Sequence, residues 1–186
     1  MARVIVITGP SGVGKGTLIR GLLERAPNLR LSVSATTRRP RSGEVDGVDY
    51  HFLSPNEFEA RVAAGEFIEH AEYSGNRYGT LRSELKRSLD EAEAVVLEIE
   101  VQGARQVRQT VPDAVSVFIA PPSLEALRTR LVGRGTDPPE QVQARLATAE
   151  QELEARGEFP HVVVNDRLEE ATHELARIVG QAIQGR

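Results

Sequence analysis

The residues with the plainest chemical purpose stand near the start of the chain, in Gly9-Pro10-Ser11-Gly12-Val13-Gly14-Lys15-Gly16-Thr17. Glycines at this spacing let the backbone curl so that successive N–H groups point inward, an arrangement suited to phosphate oxygens. Lys15 follows as a compact, mobile ammonium, and a helix opening at this point adds partial positive charge. The alternative, a glycine-rich strand-to-helix turn made for packing, leaves the lysine and the complete spacing unexplained. Gly16 departs from the commonest pattern, in which Ser or Thr after the lysine offers a hydroxyl to Mg²⁺. Thr17 lies about 100° further round a helix, so no side chain here is assigned as a direct metal ligand.

Such a loop says that a nucleoside triphosphate binds and leaves its use open. Ser34-Ala35-Thr36-Thr37-Arg38-Arg39-Pro40-Arg41 places three arginines within four residues, enough to clamp a dianionic phosphate in bidentate fashion. A solvated charged turn fits the cluster equally well at this point. Further on, Gly133-Arg134-Gly135 reads as a hinge carrying a charge.

Composition narrows what these groups serve. A chain of 186 residues has room for one well-cored domain, and 40% hydrophobic residues with 16 Gly is ordinary globular composition. The absence of Cys excludes a disulfide scaffold, a thiolate zinc site and a cysteine nucleophile. A formal charge of -4 argues against a broad nucleic-acid surface. The apolar run near the start, Val4 to Ile7, is far too short for a signal core or membrane span. The expectation is a cytoplasmic protein with no membrane association and no obligate protein partner. Of the 23 basic residues only Lys15 and Lys86 are lysines, which fits GC-rich coding and makes the lysine of the loop conspicuous.

The hydrophobic pattern describes the scaffold that must hold these groups. Val4 to Ile7, Val95 to Leu97, Val115 to Ile119 and Val162 to Val164 read as short buried strands. Between them Leu18, Ile19, Leu22 and Leu23 recur at helical spacing, as do Leu81, Leu85 and Leu89, and Leu124, Leu127 and Leu131. Val142, Leu146, Ala149 and Leu153 form another stripe, with Arg145 at its polar edge. Asp137 and Pro138 with Glu140 look like a helix start, and Asp166 with Glu169 like a capping box. The alternation predicts an α/β fold of three layers around a mostly parallel sheet. Residues 34–80 break the rhythm, with hairpin turns expected at Asp46-Gly47 and Gly75-Asn76. Tyr50, Phe52, Phe58, Phe67, Tyr73 and Tyr78 all fall there, which predicts an inserted mixed α/β subdomain with its own core.

Taken together, Ser34 to Arg41, Gly43-Glu44, Asp49-Tyr50, Phe67 to Ala71, Gly75 to Thr80, Gln102-Gly103, Pro121-Pro122-Ser123, Gly133 to Thr136 and Val164-Asn165-Asp166 resemble guanylate kinase of the bacterial type. This is a nucleoside monophosphate kinase of the phosphate-loop superfamily, and the resemblance runs from about residue 3 to 180 in order. It implies transfer of the γ-phosphoryl group of ATP to GMP and dGMP, giving ADP and GDP in purine metabolism and GMP recycling, with Mg²⁺ entering as MgATP. The Lys-Gly-Thr form of the loop is also similar to adenylate kinases, where the metal is held mainly by phosphates and water. The resemblance assigns ATP to Gly9 through Thr17 and Asn165. It assigns the GMP phosphate to Arg38, Arg41, Tyr50 and Tyr78, the guanine to Ser34, Glu69 and Thr80, and an acceptor-side role to Glu98. Lys15, Arg41, Arg134 and Arg145 become the catalytic charges, the last two folding over the triphosphate, with Arg130 a neighbour of weaker claim. Leu97-Glu98-Ile99-Glu100 stands where the family usually has Asp at both acidic positions, so each carboxylate reaches about 1.5 Å further. The implied division is a core of about 1–33, 81–123 and 157–186, a GMP-binding subdomain of about 34–80, and a lid of about 124–156. A GTPase would need an Asn-Lys-x-Asp signature that the chain lacks. A scaffold module derived from this family would have a degraded phosphate loop. A kinase of the same superfamily acting on another small acceptor is separated by a substrate panel.

Overall fold

The computed structural model describes residues 2–133 and 139–185. Five strands, β1 (Arg3–Thr8), β2 (Leu29–Leu31), β7 (Ala94–Glu98), β8 (Val115–Ala120) and β9 (His161–Val164), form one parallel sheet in the order β2-β7-β1-β8-β9. Parallel strands are covered on both faces and therefore read as unbroken apolar runs. In β1 the alternation divides the core. Ile5 and Ile7 join Leu18, Ile19 and Leu22 of α1 (Lys15–Arg25) and Leu175, Ile178 and Val179 of α7 (Leu168–Gln184). Val4 and Val6 face the other way, toward Leu85 of α3 (Arg82–Glu91) and Ala104 and Val107 of α4 (Val101–Thr110). The result is the expected three layers. Strand β2 was not foreseen, because three residues with an exposed Arg30 at the sheet edge carry too little periodicity to announce themselves.

A second sheet of β3 (Ala35–Thr36), β4 (His51–Phe52), β5 (Phe67–Tyr73) and β6 (Asn76–Leu81), in the order β4-β3-β6-β5, occupies the aromatic region. With α2 (Pro55–Ala63) it encloses a separate apolar cluster of Ala35, Phe58, Phe67 and Leu81, where the rings of Phe58 and Phe67 stack at 4.5 Å. Ser54 starts α2 with a full capping box to Glu57 and Pro55 at the first position. Both hairpin expectations need correction. The β5–β6 turn is Ser74-Gly75, one residue earlier than expected, with φ of 51° and 75°, since Tyr73 pairs with Asn76 across the strands. Asp46-Gly47 makes no hairpin, because β3 and β4 run parallel. Its residues instead tie down the connecting loop, Gly47 N–H donating to the Tyr50 carbonyl at 2.8 Å and Asp46 accepting from Phe52 N–H at 2.8 Å.

Helices α5 (Leu124–Gly133) and α6 (Pro139–Glu154) pack together beside the phosphate loop. Leu127 and Leu131 are buried as the stripe predicts, whereas Leu124 is exposed. The expected hinge arginine Arg134, with Gly135, Thr136, Asp137 and Pro138, lies outside the described residues. The expected Asp166/Glu169 box does not form. Arg167 is the residue that precedes α7, without a side-chain cap, and Glu169 pairs instead with Arg25 of α1.

Candidate active site

β1 delivers the chain into the loop and α1 takes it out. Gly9, Gly12 and Gly14 have φ of 141°, 83° and 97°, conformations that side chains resist. At Gly9 a Cβ would lie 2.2 Å from the Ile119 carbonyl oxygen, so the first turn of the loop is wedged against β8. Val13 is wholly buried and anchors the loop from below. From outside, Asn165 Nδ2 donates to the Val13 carbonyl at 2.8 Å, and Arg130 reaches the carbonyls of Val13 at 3.3 Å and Asn165 at 2.8 Å. Lys15 is 8% exposed, and its ammonium folds back on the carbonyls of Gly9 and Pro10. On α6, Arg145 Nη2 donates to Ser11 Oγ at 2.8 Å. Gly16 and Thr17 open to solvent, and Thr17 lines a groove with Gly12, Val13, Gly14, Arg130 and Asn165.

Beyond the C-terminal end of β7, at the same edge of the parallel sheet as the loop, lies a cleft walled by both sheets. Ser34, Tyr50, Glu69, Tyr78 and Glu98 line it together with Ser32, Asp49, Tyr73 and Glu100. Glu69 is 4% exposed, and its Oε1 accepts from Thr80 Oγ1 at 2.8 Å. Burial, opposed by the Thr80 hydrogen bonds and assisted by the charge of Glu100, pushes its carboxyl up to about 7. The Tyr50 and Tyr78 rings meet edge to face at 6.2 Å, and Arg38 stacks over Tyr50 at 5.2 Å. Arg38 also forms a two-pronged pair with Glu44 at 2.8 and 3.0 Å. Arg41 is exposed on the next turn, its backbone N–H donating to Glu44 at 2.7 Å. Glu98 joins the two regions. It lines the cleft and stands beside Gly16, where a Cβ would be 3.9 Å from Oε1. Burial raises its carboxyl against the lowering charge of Lys15.

A glycine-rich loop and a polar cleft that meet at one carboxylate invite comparison with known kinases. The family model for guanylate kinase matches residues 1–182. The chain is 53% identical over 183 residues to a guanylate kinase of Rubrobacter xylanophilus, covering 98% of this chain and 96% of that one. The corresponding figures for a guanylate kinase of Synechocystis are 52% over 179 residues, with 96% and 94% covered. The crystal structure of guanylate kinase from Anaplasma phagocytophilum superposes with a TM-score of 0.78 at 36% identity, covering 96% of this chain and 85% of that chain. The chain belongs to the guanylate kinase family.

For a guanylate kinase, two residues of this site have no assignment from the sequence. Ser32 lines the cleft with a buried Oγ that has no partner among the described residues. Its spacing of two from Ser34 in an extended segment was the available signal. Glu152 of α6 points at Glu100, and burial with the Glu100 charge pushes its carboxyl well up, while Lys15 and the Ser11 amide pull it down. It lies seven residues beyond Arg145 and hence on the same helix face, a pattern that periodicity could have exposed. Arg130, expected as a neighbour of weaker claim, hydrogen-bonds to the carbonyls of Val13 and Asn165 and so braces the loop. Among the described residues no group of three or more His, Asp or Glu is arranged to hold a metal ion. No helix among the described residues is long and apolar enough to cross a membrane.

Proposed function

We propose a division of labour in this chain for the guanylate kinase reaction, transfer of the γ-phosphoryl group of ATP to the phosphate of GMP or dGMP, giving ADP and GDP. The observation that carries it is the pair of concave sites joined at Glu98, one walled by the phosphate loop and the other floored by the buried Glu69. Gly9 through Thr17 and Asn165 hold ATP. Lys15, freed from the Gly9 and Pro10 carbonyls, turns to the β- and γ-phosphates. Ser34, Glu69 and Thr80 read guanine, whose ring N–H and exocyclic amine form a donor pair that adenine lacks. Tyr50, Tyr78, Arg38 and Arg41 take the GMP phosphate, with Arg38 exchanging Glu44 for it. Arg145 and Arg134 complete the charge around the transferred group.

Two anions must be brought in line, so position and positive charge do most of the catalysis. The acceptor phosphate is already ionised and needs no general base. Mg²⁺ bound with ATP would neutralise phosphate charge, and no described side chain is assigned as its direct ligand. Residues 34–80 act as the GMP-binding subdomain and 124–156 as the lid over a core of the remaining segments, closing to exclude water.

A coupled ADP-release assay over GMP, dGMP, AMP, CMP, UMP and ribose phosphates tests the assignment. Strong preference for GMP and dGMP is expected, and a preference for AMP would overturn it. Lys15→Ala should lower kcat by at least about 100-fold, as for loss of a transition-state charge, while GMP binding survives. Undiminished turnover would remove the lysine from the mechanism.

A further inference from the structure

The strand that carries Glu69 is held by a helix that packs on the parallel sheet. Gln106 of α4 clamps the backbone of His70, its Oε1 accepting the His70 N–H at 3.1 Å and its Nε2 donating to the His70 carbonyl at 2.7 Å. One turn further along, Thr110 Oγ1, whose nearest acceptor is the Gln106 carbonyl of its own helix at 3.1 Å, lies 3.4 Å from the Ile68 carbonyl. The backbone thus meets α4 on both sides of Glu69 and is hydrogen-bonded to it at His70. Between these points the Glu69 side chain rests on Gly103, which stands on the same face as Gln106 and Thr110 in the first turn of α4.

A Cβ at position 103 would lie 2.4 Å from Glu69 Oε2 and 3.1 Å from its carboxyl carbon. Gly103 is not among the residues with positive φ, so its backbone does not require glycine. In a helix, glycine is less favourable than alanine by about 1 kcal/mol. Its presence is explained by space, and the space is occupied by one carboxylate. The atom that an added methyl would displace is the tip of a flexible side chain. Displacing it disturbs the fold little and moves the group that faces the cleft.

We propose that Gly103 and Gln106 are positioning residues for acceptor recognition, holding the Glu69 carboxylate at the depth and angle that meet the guanine edge. The inference rests on the reading of Glu69 given above. It makes α4, a helix covering the parallel sheet, part of the specificity apparatus of the second sheet.

Steady-state kinetics on the full chain test this with Gly103→Ala, Gln106→Leu, Glu69→Gln, Glu69→Asp and the double variant Glu69→Asp/Gly103→Ala. Gly103→Ala should raise KM for GMP at least tenfold, leave KM for ATP within twofold, and keep or raise the melting temperature. Gln106→Leu keeps the volume, removes both hydrogen bonds, and should narrow the GMP-over-AMP preference severalfold. With Asp at position 69 the carboxyl is withdrawn by a methylene, so the double variant should be no worse than Glu69→Asp alone. Additive losses in the double variant, equal rises in KM for GMP and ATP, or a Gly103→Ala protein that fails to fold would overturn the proposal. If Glu69→Gln weakens GMP while Gly103→Ala leaves it unchanged, positioning alone fails. If Glu69→Gln leaves GMP unaffected, the base-reading assignment fails first and the inference with it.

Discussion

Glu69 sits almost wholly out of water with its carboxyl raised to about 7, so the free protein at neutral pH holds a mixture of its protonated and ionised forms. In the role proposed for Glu69, only the ionised form would accept both guanine donors. We therefore expect kcat/KM for GMP to rise as pH increases through about 7, in addition to the ionisation of the GMP phosphate at about 6. Glu69→Gln should abolish the upper inflection and weaken GMP more than ATP, and a profile unchanged by the substitution would contradict the role. The same shift bears on stability. The unfolded carboxyl ionises near 4.5 whereas the folded one keeps its proton to about 7. Between these values the folded state binds more protons, so this group's contribution to stability declines as pH rises through that window. Residue identity alone could not show this. A glutamate in a strand is ordinarily an exposed carboxylate, and burial against Thr80 and α4 is what changes its chemistry.

At the scale of elements, the phosphate loop is held by its neighbours as much as by its own glycines. Gly9→Ala would place a methyl into the Ile119 carbonyl while forcing an unfavourable φ. We expect a loss of about 3 kcal/mol, in the range of combined strain and overpacking, measured as a lowered denaturant midpoint with unchanged slope. An unaltered midpoint would show that β8 yields to the loop. Helix α6 brings Arg145 and Glu152 to the loop together, and Glu152 lies against Glu100, where both Oε2 atoms are buried with no donor group within hydrogen-bond reach of them among the described residues. Glu152→Gln removes one of two carboxyls competing for one site. The variant should lose less thermal stability than the parent as pH is raised from 7 to 9, and parallel melting curves would refute the pairing. The long buried elements were legible because apolar runs and helical stripes repeat over many residues. β2, β3 and β4 were not, since two or three residues have no period and exist only through their partners.

For the whole molecule, two sites built by different layers should respond separately to their ligands. GMP at about 100 times its Kd should stabilise the protein by about 2.7 kcal/mol through mass action. That gain should vanish in Glu69→Gln while the gain from a non-hydrolysable ATP analogue persists. Simultaneous loss of both gains in a calorimetric melt would mean one shared site. The sequence by itself determined the layered α/β plan, the phosphate loop and the acceptor class. Those depend on strand runs, helical stripes and ordered motifs, which are local and survive in one dimension. The tertiary structure alone decided that Arg38 rests on Glu44, that Asn165 and Arg130 brace the loop, and that Glu152 meets Glu100. It also decided that Glu69 is buried on Gly103. Each joins residues from separate segments, and burial, the property that sets their protonation and reach, is created only when the layers close around them.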